Sequence, residues 1–142
     1  MRRIIICLAI AATTLLSAPA NGAPDPNDDR EYYSLRQYAV TVENRENLIA
    51  VLRFSPAKGW KWNKKYPVKL SILKPANGSR PYQLVEHHIE EAEFEKRPEV
   101  AVWMDLKPSR AAKIYRQQFT VEANYSFCNK TTCRVFKRNI KF

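Results

Sequence analysis

Glycine is scarce in this sequence, with three residues in 142. That excludes Gly-rich phosphate-binding loops, which need several glycines at fixed spacing so that backbone can approach a phosphate. There is no Gly-x-Ser-x-Gly nucleophile elbow and no His-Glu-x-x-His zinc motif. The two histidines, His87 and His88, are adjacent, with Glu86, Glu90 and Glu91 close by. Neighbouring side chains on a strand point to opposite faces, whereas metal sites in strands use i, i+2 spacing. No metal and no cofactor is therefore expected. Long hydrophobic runs are missing as well. Past Leu16, no stretch approaches the roughly 20 apolar residues of a membrane helix.

What is present begins with an export signal. Arg2 and Arg3 open the chain, and an apolar run from Ile4 to Leu16 follows. Ala18-Pro19-Ala20 then puts small residues where a signal peptidase reads. Residues 1–20 are expected to be cleaved, 21–33 to form a flexible leader, and 34–142 to form one domain. The leader is rich in Pro, Asp and Asn from Asn21 to Arg30. About 120 residues remain, enough for a real core. The mature chain should lack a transmembrane segment and reside in the periplasm or outside the cell. The charge of +10 falls to +8 without Arg2 and Arg3. A basic exported chain fits an anionic envelope component as partner, although cations spread along the sequence also serve solubility alone. Specific nucleic-acid binding is not expected.

The domain reads as strand after strand. Tyr38–Val42, Leu48–Phe54, Tyr66–Leu73, Pro81–Ile89, Val100–Leu106, Ile114–Phe127 and Cys133–Phe142 are rich in β-branched and aromatic residues. Several alternate apolar and polar with period two, and Pro, Gly or Asn punctuates them at intervals of about 8–15 residues. This pattern predicts an all-β, immunoglobulin-like antiparallel sandwich of about seven strands. Helix competes over Glu86–Glu95, which is Glu-rich, and over Ser109–Arg116, where Ser109 is placed to cap.

Three cysteines occur, and Cys7 leaves with the signal. Cys128 ends one expected strand and Cys133 begins the next. Asn129, Lys130, Thr131 and Thr132 between them suit a four-residue hairpin loop. Opposed residues in antiparallel strands lie within reach of a disulfide, and no other cysteine competes. Such a bond closes a small loop and contributes about 2 kcal/mol by loop-closure entropy. It is either a staple or an exchangeable pair, and Lys130 and Arg134 beside it would favour a thiolate. A second candidate is the stretch Gly59–Pro67, where Trp60, Trp62 and Tyr66 alternate with Lys61 and Lys64. It can present a stacking surface ringed by cations, or plug the end of the sandwich with its lysines turned outward. Asn77, Asn124 and Asn129 each begin an Asn-x-Ser/Thr sequon, which matters only in a glycosylating host.

Two motifs carry a resemblance. Lys58-Gly59-Trp60-Lys61-Trp62-Asn63-Lys64-Lys65-Tyr66-Pro67 and Phe127-Cys128-Asn129-Lys130-Thr131-Thr132-Cys133 resemble stretches of bacterial exported domains. Those domains are related to the immunoglobulin-like amino-terminal domain of the thiol-disulfide interchange protein DsbD. The resemblance implies an immunoglobulin-like fold, Cys128 and Cys133 as an exchanging pair, and a periplasmic redox protein as partner. Two functions are carried forward. One is a non-enzymatic binding or accessory module with a structural disulfide, contacting ligand through Trp60, Lys61, Trp62, Lys64 and Tyr66. The other is a thiol-disulfide oxidoreductase working through Cys128 and Cys133.

Overall fold

The strongest apolar run, LIAVLRF, forms the centre of one sheet. It lies in β2 (Leu48–Pro56), which pairs on one side with β1 (Tyr33–Thr41) and on the other with β6 (Arg97–Pro108). β5 (Tyr82–Phe94) completes the order β1-β2-β6-β5. The structure is a computed structural model and describes residues 28–42, 46–76, 78–114 and 117–142. The expected signal peptide, the leader up to residue 27 and the sequon at Asn77 lie outside the described residues.

The second sheet is built on β7 (Thr120–Cys128). β8 (Cys133–Lys141) runs along one edge of β7. The other edge is shared by β3 (Lys61–Trp62) and β4 (Lys69–Ile72). Trp62 pairs with Phe127 and Lys69 with Asn124. β7 spans that gap with Ser126 and Tyr125, whereas the edge strand spends residues 63–68 on it, so the extra residues must bulge outward. This is why the run expected as one strand over Tyr66–Leu73 contracts to Lys69–Ile72. All ladders are antiparallel. The fold is the all-β, immunoglobulin-like sandwich that the sequence predicts, with eight strands among the described residues rather than about seven.

Alternation puts the core between the sheets. Leu48, Ala50, Leu52 and Phe54 of β2 face Val121, Ala123, Tyr125 and Phe127 of β7, with Val100, Val102, Met104 and Leu106 of β6 alongside. One end of this core is aromatic. Phe54 meets Tyr125 at 4.6 Å and Trp62 at 5.4 Å between ring centroids. Tyr33 stacks on Phe127 at 5.0 Å and abuts Phe136 at 5.2 Å. The opposite end is closed by Phe119, which stacks on Phe142 at 4.9 Å and meets Tyr82 at 4.8 Å.

One expectation changes and two open choices are decided. The flexible leader does not extend to residue 33, because Tyr33 is a buried core residue of β1 and Asp29 is tied to β8 by Arg138. Glu86–Glu95 is strand, not helix, because pairing with β6 along its length outweighs the helix preference of its glutamates. Ser109–Arg116 does hold a helix as far as it is described. In α1 (Arg110–Ile114), the Ala112 amide donates to Ser109 Oγ at 3.3 Å, so Ser109 caps it.

The β5–β6 hairpin turns on Glu95 and Lys96, both at positive φ, 48° and 62°. A two-residue turn of this kind favours Asn-Gly, because side chains beyond Asn crowd the left-handed backbone. Replacing Glu95→Asn together with Lys96→Gly should raise stability by about 1 kcal/mol. Denaturant unfolding checks this, and a loss of stability would contradict the turn assignment.

Candidate functional site

Cys128 and Cys133 form the terminal register pair of the β7–β8 hairpin and are joined by a disulfide, with Cα atoms 4.0 Å apart. Alternation along β7 sends Phe127 into the core, so Cys128 projects from the outer face of the sheet. Cys133 is exposed and Cys128 is half-buried. The bond therefore sits outside the sandwich, directly above its aromatic end.

The turn closes without help from the sulfurs. The Asn129 amide donates to the Thr132 carbonyl at 2.9 Å. Asn129 Oδ1 accepts the amides of Thr131 at 2.9 Å and Thr132 at 2.8 Å, and the Thr131 hydroxyl at 3.1 Å. A short polar side chain that bonds backbone two and three residues ahead is a turn-maker in its own right. Asn129, a sequon residue, spends its side-chain oxygen here. Beneath the turn, Phe127 and Phe136 are buried in the aromatic cluster.

The structure divides the second candidate. Trp62 is buried among Phe54, Tyr125 and Phe127, so it is a core residue and is withdrawn as a ligand contact. Its period-2 position opposite Phe127 puts it there. Trp60 is half-buried and packs edge-on against Tyr32 at 4.9 Å. Lys61 and Lys64 are exposed and Tyr66 is half-buried. Lys61 pairs with Cys128 in the ladder and leaves from the face that carries the disulfide. Lys64 instead reaches the opposite sheet and pairs with Glu91 at 2.8 Å. The loop is pinned where it starts. The Asn63 amide donates to the Ser126 carbonyl at 2.9 Å, and Asn63 Nδ2 lies 3.3 Å from Ser126 Oγ. His88 stacks on Trp103 at 5.9 Å, and both histidines are exposed.

One feature of the site's surroundings has no signature in the sequence. The Tyr33 hydroxyl donates to Asp29 Oδ2 at 2.6 Å. Its own oxygen lies 2.5 Å from the Tyr125 hydroxyl, which must then be the donor. Arg138 grips the same carboxylate with two bonds of 2.6 Å, Nε to Oδ2 and a terminal nitrogen to Oδ1. Asp29 falls within the polar leader of the sequence, far from Tyr125 and Arg138 along the chain, so nothing local announces these partners. This clasp ties β1, β7 and β8 together below the hairpin end.

Positive charge is also sorted in space. Six lysines lie between Ala57 and Pro75, and five cations lie between Gln117 and Phe142. Against them these segments, which build the β7 sheet and its loops, carry one acid, Glu122. The β5–β6 hairpin and its flanks carry Glu86, Glu90, Glu91, Glu93, Glu95, Glu99 and Asp105. The cations look evenly spread along the sequence, but folding gathers eleven of the 24 on the strands and loops of the sheet that bears the disulfide.

No family model matches the sequence, and no curated protein matches it. Among solved structures, the chain is similar to the crystal structure of the DsbD amino-terminal domain of Neisseria meningitidis in the reduced form. The identity is 12%, over 80% of this chain and 85% of that one, with a TM-score of 0.45.

Burial pushes the Tyr125 hydroxyl up to about 12. It pushes Tyr33 higher still, with the bond to Asp29 acting in the same direction. A group whose pKa is raised on folding contributes stability below its unfolded value, near 10, and loses it as pH climbs through the folded value. Sheet structure should therefore fail between about pH 10 and 12, with the tyrosinate absorbance of this pair rising only as the sheet signal falls. Ionisation of both tyrosines within an intact fold would contradict the clasp.

Proposed function

We propose that the protein is an exported, periplasmic thiol-disulfide exchange protein whose reactive pair is Cys128 and Cys133. One observation carries this reading. The bond lies outside the core on an exposed hairpin end whose turn and packing are secured by other contacts. Opening it exposes no apolar core, and loop closure sets its contribution at about 2 kcal/mol. Among the described residues no helix is long and apolar enough to cross a membrane.

The exchange runs by in-line thiolate attack. A thiolate of a partner dithiol attacks Sγ of Cys133, the more exposed sulfur. The Cys133–Cys128 bond breaks and Cys128 leaves as a thiolate. Lys61, its neighbour across the ladder, offsets that charge. The partner's second thiolate then attacks its own sulfur in the mixed disulfide and frees Cys133. The partner is oxidised by two electrons, this protein is reduced by two, and the two thiol protons end on Cys128 and Cys133. The partner is a redox protein carrying such a dithiol.

The competing reading, a non-enzymatic binding module with a permanently closed staple, keeps Lys61, Lys64 and Tyr66 as surface groups. It loses the Trp60–Trp62 platform, because Trp62 faces the core. An anionic envelope component has no stacking surface of two tryptophans to meet.

The reduction potential of the pair should lie between about −270 and −120 mV, the span of known exchangers. In the reverse direction, the lone Cys133 thiolate of a Cys128→Ser variant should attack the disulfide of an oxidised partner and, with no second cysteine to release it, retain a covalent adduct on non-reducing gels. A potential below about −300 mV, the range of structural bonds, would reject exchange and favour the staple.

A further inference from the structure

The cations of the β7 sheet are not all alike in their surroundings. Lys64 is neutralised by Glu91, Lys137 pairs with Glu122 at 3.1 Å, and Arg138 is spent on Asp29. The ones nearest the disulfide have no acidic partner among the described residues. Lys61 stands beside Cys128 in the ladder and shares its face. Lys130 sits in the hairpin loop between the two cysteines, exposed. Lys58 lies in the turn that leads into Lys61, and so runs past the end of β7 alongside that loop. Arg134 follows Cys133 and lies over the Tyr32 ring at 5.1 Å, closing the aromatic end from above. Of the acids near this end, Glu91 is taken up by Lys64, Asp29 by Arg138, and Glu31 by the Tyr32 hydroxyl.

From this arrangement we infer that the disulfide end is a docking face for an acidic partner, a protein whose reactive cysteines are flanked by Asp and Glu. The inference rests on the exchange reading and adds the partner's chemistry to it. Four cations around one exposed sulfur pair attract an anionic surface over about a Debye length and orient it before contact. They also favour the attacking thiolate over the thiol, since the charge that arrives is negative. Like-charged partners meet repulsion at the same spot, so the ring selects as well as accelerates. A lipid or nucleic-acid surface would use the same charge without needing the sulfurs. Four of the eight cations of this sheet that have no acidic partner among the described residues stand around the sulfurs, where, on the exchange reading, they serve a protein that reaches the bond.

The test uses the full chain and two synthetic dithiol peptides of equal length, one with its cysteines flanked by Asp and Glu, the other by Lys. At low ionic strength the acidic peptide should reduce the Cys128–Cys133 bond at least about tenfold faster than the basic one, after correction for thiolate fraction. The ratio should shrink toward one in high salt. It should fall or invert in Lys61→Glu, Lys130→Glu protein, where both substituted positions are exposed. Neutral dithiothreitol separates the two levels of the claim. If it opens the bond while the peptides react within twofold of each other, exchange stands and the acidic partner is overturned. Equal peptide rates with tight binding to anionic phosphatidylglycerol vesicles would assign the face to a membrane and overturn it as well. A bond that no thiol opens overturns both.

Discussion

The packing of six aromatic rings between the two sheets, Tyr33, Phe54, Trp62, Tyr125, Phe127 and Phe136, is the contact on which the rest of this molecule depends. It draws one ring from β1, one from β2 and four from the β7 sheet, so it fixes how the sheets lie on each other at the hairpin end. Aromatic pairs contribute beyond their buried area, and each ring here has several such neighbours. The clasp of Asp29, Tyr33, Tyr125 and Arg138 satisfies the two hydroxyls that this packing buries. Without it, burial of two phenols would weaken the end it now strengthens.

This end leaves the exposed disulfide outside the contacts that hold the fold. The proposed exchange requires that, since a bond that opens cannot also be what holds the fold. Here the burden lies on rings underneath and on Asn129 in the turn above. The consequence is a hairpin tip whose backbone is positioned whether the sulfurs are joined or apart. Charge follows the same division. The cationic sheet carries the sulfurs, and the acidic hairpin lies on the other sheet.

Much of this is legible in the sequence, for physical reasons that differ by element. β2 and β6 are central strands with near-continuous apolar runs, and they appear where those runs stand. The Cys128–Cys133 hairpin is set by local turn chemistry and cysteine spacing, which need no tertiary information. Trp62 is different. Its neighbours suggest a surface loop, and only its register opposite Phe127 reveals that it faces inward. β5 is legible over Pro81–Ile89 and hidden beyond it, where the strand runs on to Phe94 through exposed glutamates. Tyr33 and Asp29 hide because their partners lie about a hundred residues away. The segregation of charge is invisible for the same reason. It is a property of which strands share a sheet, not of any stretch of chain.

The aromatic end, not the disulfide, holds the hairpin. Denaturant unfolding of the oxidised protein against its fully reduced form tests this most directly. The reduced protein should keep its sheet signal and buried-tryptophan fluorescence and lose about 2 kcal/mol of stability. Loss of the native fold on reduction alone would contradict it.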